Sequence, residues 1–177
     1  MQLWNYLQLP ALAVGMAVSA ATAQNIGAQR WQRIDATART GALYSVLLTS
    51  SILLTLQIFD RQLCAGLLPG HSPAIPLAVH INRIVPWSYV LSGVAMVFFA
   101  VVRSAGAVLV PLLIQAVTIL GARVAMAQGL LEPWGPDAIW WSFPLASILE
   151  LALAATYCKF GSWRRQALIV GAHLERT

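Results

Sequence analysis

Charged side chains are scarce in this sequence. Only 10% of its 177 residues are Asp, Glu, Lys or Arg, whereas 59% are hydrophobic and the mean hydropathy is +0.71. A soluble domain of this length cannot bury so much apolar surface, which excludes the ordinary soluble enzymes and binding modules. The composition instead indicates a membrane protein.

Cysteine is nearly absent, and so are the patterns that bind metals or support catalysis. The two cysteines, Cys64 and Cys158, are too few and too far apart for a zinc motif or a disulfide framework. No strand alternation, heptad repeat, Gly-rich phosphate loop or nucleophile motif is present. We therefore expect an all-α protein that is not an enzyme and carries no metal or organic cofactor.

Acidic residues are fewer than basic ones, so that the net charge is +5 and the pI is near 9.9. Such a balance can indicate nucleic-acid binding, but here the basic residues lie at the ends of apolar runs instead of forming one patch. Nucleic acid is therefore not an expected partner. The lipid bilayer is.

Five apolar runs are long enough to cross a membrane, because a helix of about 20 apolar residues spans about 30 Å of hydrocarbon. They predict one membrane domain over residues 1–177, a polytopic helical bundle of about five transmembrane helices. The segment 60–83 is rich in Gly and Pro and is expected to be an outer loop with room for a short interfacial helix. The predicted helices cover about 3–27, 41–59, 84–102, 107–128 and 138–158, and a cytoplasmic tail covers 159–177.

The basic residues predict the orientation, since Lys and Arg concentrate on the cytoplasmic side of short loops. Arg30, Arg33 and Arg39 follow the first run with only Asp35 against them, which predicts a compact basic loop on that side. The N-terminus then lies outside, the C-terminus lies in the cytoplasm, and the protein belongs to the inner membrane. Cys64 and Cys158 would lie on opposite sides. The cytoplasmic ends also hold Arg103, Lys159, Arg164, Arg165 and Arg176, and the outer ends hold Arg61, Arg83 and Arg123.

Small residues recur at every fourth position of the first run. They form one stripe along a helix and favour close packing against a neighbour, because small side chains let membrane helices approach. The stripe consists of Ala11, Gly15, Ser19, Ala23 and Gly27.

Glu150 is a carboxylic acid about halfway along the fifth run. An ionised carboxylate there costs at least about 3 kcal/mol, so we expect the side chain to face the bundle interior. Two interpretations follow: a protonatable or cation-binding group on a transport path, or a protonated or hydrogen-bonded glutamate that joins two helices. Its helical neighbours form a small and partly polar stripe, namely Phe143, Ala146, Ser147, Ala154 and Tyr157.

Three other polar residues are candidates for a substrate or cation path. Arg123 either extends to the outer interface or pairs with Glu150, although the two lie at different depths. Gln24 and Asn25 either cap the first helix or donate hydrogen bonds to a substrate. The remaining polar and aromatic clusters are expected at the interfaces: His80, Asn82 and Arg83 in one, and Trp134, Trp140, Trp141 and Phe143 in another.

Three stretches carry a family resemblance. Residues 24–28, QNIGA, followed by Arg30, look like a Q-x-x-G-A helix ending. Residues 103–106, RSAG, followed by Pro111, look like an R-G-x-G turn with Ser104 in place of glycine. The ending at 140–165, WWSFPLASILELALAATYCKFGSWRR, is similar to a last helix with a basic exit. In this order the stretches resemble the multidrug and toxic compound extrusion (MATE) family of efflux antiporters.

The resemblance implies that the chain corresponds to helices eight to twelve of twelve, a partial C-terminal lobe, and that its partner is the missing N-terminal lobe. It also implies export of small organic, often cationic compounds in exchange for H⁺ or Na⁺. The coupling carboxylates of the family lie in the first helix, or in the seventh and tenth. The counterpart of the tenth helix, 84–102, has no acidic residue. The resemblance therefore assigns no coupling residue here, and the candidate role of Glu150 is inferred only from the cost of burying its carboxylate.

Two other functions remain open. A lipid-linked oligosaccharide flippase of similar architecture would carry many basic residues on helices that face its cavity, and only Arg123 qualifies here. The second alternative is a non-transporting membrane protein with a role in interaction or assembly, or a truncated remnant of a transporter. Loss of the gene without any change in dye accumulation would favour it.

Overall fold

The computed structural model describes residues 2–59 and 74–164, and over these ranges the chain is helical without any strand. Five helical stretches in this part are long and apolar enough to span a membrane, which confirms the predicted all-α polytopic bundle. Within α5, the segment Val117–Ala122 is π-helical. The helices are α1 (Gln2–Gly27), α2 (Trp31–Ile58), α3 (Ala74–Ile84), α4 (Trp87–Ser104), α5 (Leu109–Gly129), α6 (Leu131–Trp134) and α7 (Asp137–Phe160).

Helix α4 is the centre of the bundle. Helices α1, α2 and α4 contact one another, α7 packs on α4, and α5 packs on α7. Because α4 has neighbours on several sides, residues all around it are buried, among them Gly93, Ala95, Val97 and Phe99. An all-round apolar helix is the sequence pattern of such a central position.

The outer helix α5 has the opposite character. Its large apolar side chains face outward, with Leu109 73% exposed and Leu120 71% exposed, and Met16 of α1 is similar at 68%. In water such a surface would drive aggregation, whereas in lipid it carries no hydrophobic penalty. The packing thus supports a multi-pass membrane protein.

The start of α2 corrects the predicted basic loop. Residues 31–40 are helical, and only a short turn at 28–30 separates α1 from α2. Arg33 and Arg39 are exposed on this helix, while Ile34 and Ala38 are buried, so one amphipathic face continues into the membrane span. An uncharged run predicts only the part of a helix that lies in hydrocarbon. Helix α2 begins ten residues before the predicted run.

The third span also begins differently from the prediction. Helix α3 occupies the end of the expected outer loop, and a break at Val85 and Pro86 separates it from α4, which starts at Trp87. Proline fits this position because it has no backbone N–H to lose at a helix start. The predictions for Cys64 and for residues 165–177 of the tail fall outside the described residues.

The small-residue stripe of α1 is only partly buried. Ala11 and Gly15 are buried, and the position of a Cβ on Gly15 would lie 3.9 Å from Ala100 Cβ of α4. Ala23 and Gly27 are exposed. At 3.6 residues per turn, a spacing of four drifts about 40° per step, so the buried face leaves the stripe along the helix.

Candidate functional site

A cavity of about 320 Å³ lies between α1, α4, α5 and α7. Its lining includes several polar side chains, whereas the buried residues nearer the other end of α4 form an apolar cluster around Val97, Val101 and Trp163. The cavity is lined by Gln8, Ala11, Ser88, Tyr89, Ser92, Gly93, Met96, Gln115, Ile119, Arg123, Phe143 and Glu150.

Glu150 faces this cavity from α7 and is 7% exposed. Ser92 Oγ of α4 donates to Glu150 Oε2 at 3.1 Å, and Ser92 Oγ also lies 3.1 Å from Ser147 Oγ. A hydroxyl has one proton, so Ser147 donates to Ser92, which donates to the carboxyl. Glu150 therefore lies in the interior of the bundle, as predicted, and its hydrogen bond with Ser92 connects α7 to α4.

Helix α5 contributes Gln115, Ile119 and Arg123 to the cavity, and its π-helical turns lie among these residues. Thr118 Oγ1 donates to the carbonyl oxygens of Ile114 at 2.8 Å and Gln115 at 3.2 Å within the same turns. A π-helical turn rotates the residues that follow it relative to an α-helix and is frequent at functional sites. Here it brings Arg123 to the same side of α5 as Gln115.

Arg123 is one of the residues that line the cavity. Its guanidinium carbon lies 4.2 Å from the ring centroid of Phe143, and its Nε is buried without a hydrogen-bond partner in the described part of the chain. No ion pair joins Arg123 to Glu150 among the described residues. The two side chains thus share one cavity without direct contact, and Phe143 lines the same cavity.

Gln24 and Asn25 lie elsewhere. Asn25 Nδ2 donates to Ala21 O at 2.8 Å, within its own helix, and Gln24 is exposed. Gln29 adopts a left-handed φ of 54° and ends α1 together with the bond from Arg30 N to Asn25 O, so the backbone caps the helix at these residues. The fold does not bring either side chain to Glu150.

At the outer end predicted for the bundle, His80 Nε2 of α3 lies 3.1 Å from Asp137 Oδ1 at the start of α7. Both side chains are about half exposed, at 46% and 49%. Trp134 and Trp141 lie close by in sequence and form an edge-to-face pair with ring centroids 5.8 Å apart. These contacts hold α3 and α6 near the start of α7 and add no ligand to the cavity.

Several cavity residues escaped the sequence analysis, above all Ser92, Tyr89 and Gln115. Each is a polar residue inside an apolar run, and that is the signal which could have identified them, because polar side chains within membrane spans face the bundle interior. Ser88 and Ser92 are also one helical turn apart on α4.

Comparisons with known proteins agree on one family. The MatE family profile matches residues 1–127. The chain is 30% identical over 172 residues to Probable multidrug resistance protein YoeA of Bacillus subtilis (strain 168). That match covers 94% of this chain and 36% of the relative, so the chain spans little more than a third of the relative's length. No solved structure gives a significant match.

Proposed function

The chain belongs to the MatE family of multidrug efflux transporters, and we propose that it forms the C-terminal part of an antiporter that exports organic, often cationic compounds in exchange for H⁺ or Na⁺. The observation that carries the coupling role is the burial of Glu150 in a polar cavity between four helices. A carboxyl at that depth in a membrane protein is usually functional, because its desolvation is expensive.

The chemistry of the cavity suits a small cation. The carboxyl oxygens of Glu150 and the hydroxyl of Ser92 are oxygen ligands for a proton or Na⁺, and Gln115 lines the same cavity. When the cation leaves, the positive charge of Arg123 in the same cavity stabilises the remaining carboxylate. This arrangement allows the site to alternate between a loaded and an empty state.

The size of the cavity favours an ion over a drug. At about 320 Å³ it is at the lower end of the roughly 300–1,000 Å³ that ligand pockets occupy. Transporters built from repeats bind substrate near the membrane centre, between their repeats. We therefore assign the bulky substrate to the space between this lobe and an N-terminal lobe, and the coupling ion to the cavity of Glu150.

The proposal includes a location and an orientation. The protein resides in the inner membrane with its N-terminus outside and its C-terminus in the cytoplasm, as the distribution of Lys and Arg indicates. Its partners are the bilayer, small organic substrates and the N-terminal lobe. Alternating access requires two lobes, so we expect no transport from this chain alone.

A chimera tests the function. The region of the Bacillus subtilis relative that matches this chain is replaced by the chain, and accumulation of a cationic dye is measured in cells that lack their own efflux pumps. We expect the chimera to lower dye accumulation as the intact relative does. If the chimera inserts in the membrane and leaves accumulation unchanged while the relative lowers it, this chain is not a transporter lobe but a non-transporting membrane protein.

The role of Glu150 is tested in the active chimera with Glu150→Gln. Glutamine keeps an oxygen that accepts the bond from Ser92 but cannot bind a proton or carry charge, so we expect efflux to be abolished at normal expression. Glu132→Gln, on exposed α6, is the matched control and should retain efflux. Efflux that survives Glu150→Gln would leave Glu150 only its role of joining α4 and α7.

The flippase alternative receives little support from the cavity. A lipid-linked oligosaccharide carries phosphate, and several basic side chains would be needed to hold it. Among the residues that line this cavity, Arg123 is the single Lys or Arg.

A further inference from the structure

A groove runs along the surface between α1 and α2, away from the cavity of Glu150. Its volume is about 660 Å³. Val18 and Gly41 are buried at its floor, and Tyr44 and Leu48 are exposed along its wall. From Arg33 to Leu48 the groove follows α2 over fifteen residue steps, which is about 22 Å of helix at 1.5 Å per residue. That length covers one leaflet of a hydrocarbon core about 30 Å thick.

One end of the groove is polar and basic. Asn25, Arg33, Thr37 and Thr40 line it there, while the rest of the lining is predominantly apolar. Arg33 is exposed and carries no ion pair in the described part of the chain. The acidic residue beside it in sequence, Asp35, is bound instead to Arg164 at 2.6 Å. The positive charge at this end is therefore not compensated by the nearest carboxylate.

Two further arginines add positive charge near the basic end of the groove. Arg30 and Arg39 are exposed on either side of Arg33 in sequence and also carry no ion pair among the described residues. In addition, α2 begins beside Arg30 without a side-chain cap, so the free N–H groups of its first turn add partial positive charge. An anion at Arg33 would thus lie in a region of net positive charge.

We propose that this groove binds an anionic phospholipid of the surrounding bilayer, with its phosphate at Arg33 and an acyl chain along Val18, Gly41, Tyr44 and Leu48. The charge selects the occupant, because a zwitterionic lipid brings its own cation to offset the charge of its phosphate, and an apolar helix brings no anion. Juxtamembrane arginines gain about 1 kcal/mol each from anionic lipid. The site is distinct from the cavity proposed for cation coupling and does not depend on transport.

Native mass spectrometry of the purified chain, titrated with phosphatidylglycerol or phosphatidylcholine, tests the proposal. We expect one phosphatidylglycerol to be retained more tightly than phosphatidylcholine. Arg33→Gln should weaken phosphatidylglycerol about fivefold, which corresponds to the contribution of one arginine, without changing phosphatidylcholine. Arg103→Gln is the control, since Arg103 is equally basic and exposed but lies at the end of α4 and outside the groove.

A second pair of variants tests the apolar part. Ala17→Phe places a ring in the groove and should weaken retention of the lipid, whereas Ala20→Phe, exposed on α1 but outside the groove, should not. Equal retention of the two lipids, or equal losses in Arg33→Gln and Arg103→Gln, would overturn the proposal. A dimer of this chain that Ala17→Phe dissociates would also overturn it, because the groove would then be covered by a second copy.

Discussion

At the scale of single residues, two glycines allow α1, α2 and α4 to approach one another. A Cβ on Gly41 of α2 would overlap Val18 Cγ2 of α1 and lie 3.1 Å from Val97 Cγ1 of α4. A Cβ on Gly93 of α4 would lie 3.0 Å from Ser45 Oγ and 3.2 Å from Ala11 Cβ. Because valine is branched at Cβ and has little rotational freedom in a helix, the contact at Gly41 is the harder one to relieve.

The first prediction concerns Gly41→Ala. Overpacking of a well-packed interior costs about 1–3 kcal/mol, but any Gly→Ala change in a helix also gains helix propensity of about 1 kcal/mol. Gly15→Ala is the matched control, because Gly15 also lies inside an α-helix and its added Cβ would be at an ordinary contact distance, 3.9 Å from Ala100 Cβ. We expect Gly41→Ala to be less stable than Gly15→Ala by about 1–3 kcal/mol, measured as free energies of unfolding in mixed detergent micelles. Equal stability of the two variants would contradict the close approach at Gly41.

Glu150 has a structural role that the fold shows and a coupling role that we propose. Its bond from Ser92 connects two helices, and its carboxyl lines the cavity to which we assign the coupling ion. The two roles separate in Glu150→Gln, which keeps the hydrogen-bond acceptor and removes the titratable group. A loss of efflux without loss of stability would assign the functional role.

At the scale of helices, the end of α7 packs against the start of α2. Trp163 is fully buried, its Nε1 donates to Cys158 O at 2.9 Å, and its ring centroid lies 6.5 Å from that of Trp31. The indole thereby satisfies one of the carbonyl groups left free at a helix end. Arg164 then bonds to Asp35, so the two elements are joined by packing and by charge.

The second prediction separates these two contributions. Trp163→Ala should destabilise the chain by about 3–5 kcal/mol, since it removes a buried aromatic side chain. Asp35→Asn should cost no more than about 1 kcal/mol, because the ion pair is exposed to solvent. Thermal unfolding in detergent ranks the stabilities of the two variants. The control is Trp87→Ala, which removes an exposed tryptophan at the start of α4. A larger loss in Asp35→Asn than in Trp163→Ala would show that charge, and not packing, holds this end.

At the scale of the whole molecule, the arrangement depends on α4, which contacts α1, α2 and α7. The apolar cluster near Trp163 closes one end of this arrangement, and the cavity of Glu150 lies toward the other. Under the proposed function, an ion would reach the Glu150 carboxyl from the end of the bundle that holds the cavity.

The third prediction concerns the orientation of this molecule in the bilayer. In a Cys64→Ser background, Glu132→Cys and Val108→Cys introduce exposed thiols at opposite ends of α5, while Cys158 is buried. The distribution of basic residues places Glu132 outside and Val108 in the cytoplasm. An impermeant maleimide should label Glu132→Cys in intact cells and Val108→Cys only after permeabilisation. Labelling of both from one side would contradict the predicted topology.

The spans and the interior position of Glu150 could be predicted from the amino-acid sequence. Both follow from local quantities, the length of an apolar run and the energy of placing a charge in hydrocarbon. The same reasoning gave the wrong start for α2. The helix already begins at Trp31 and carries Arg33 and Arg39 on its exposed face, so its first turns do not belong to an apolar run. The described part of the chain thus has the predicted fold class, while individual helices begin or end at residues other than those predicted.

Contacts between residues far apart in the sequence could not be predicted and depend on how the helices pack. Ser92 and Glu150 are 58 positions apart and Asp35 and Arg164 are 129 apart, yet each pair forms a hydrogen bond. Helical periodicity gives the direction of each side chain relative to its own helix axis, but the rotation of one helix against another depends on how all their side chains pack together. The cavity around Glu150, the place of Arg123 within it and the groove at Arg33 are consequences of that packing.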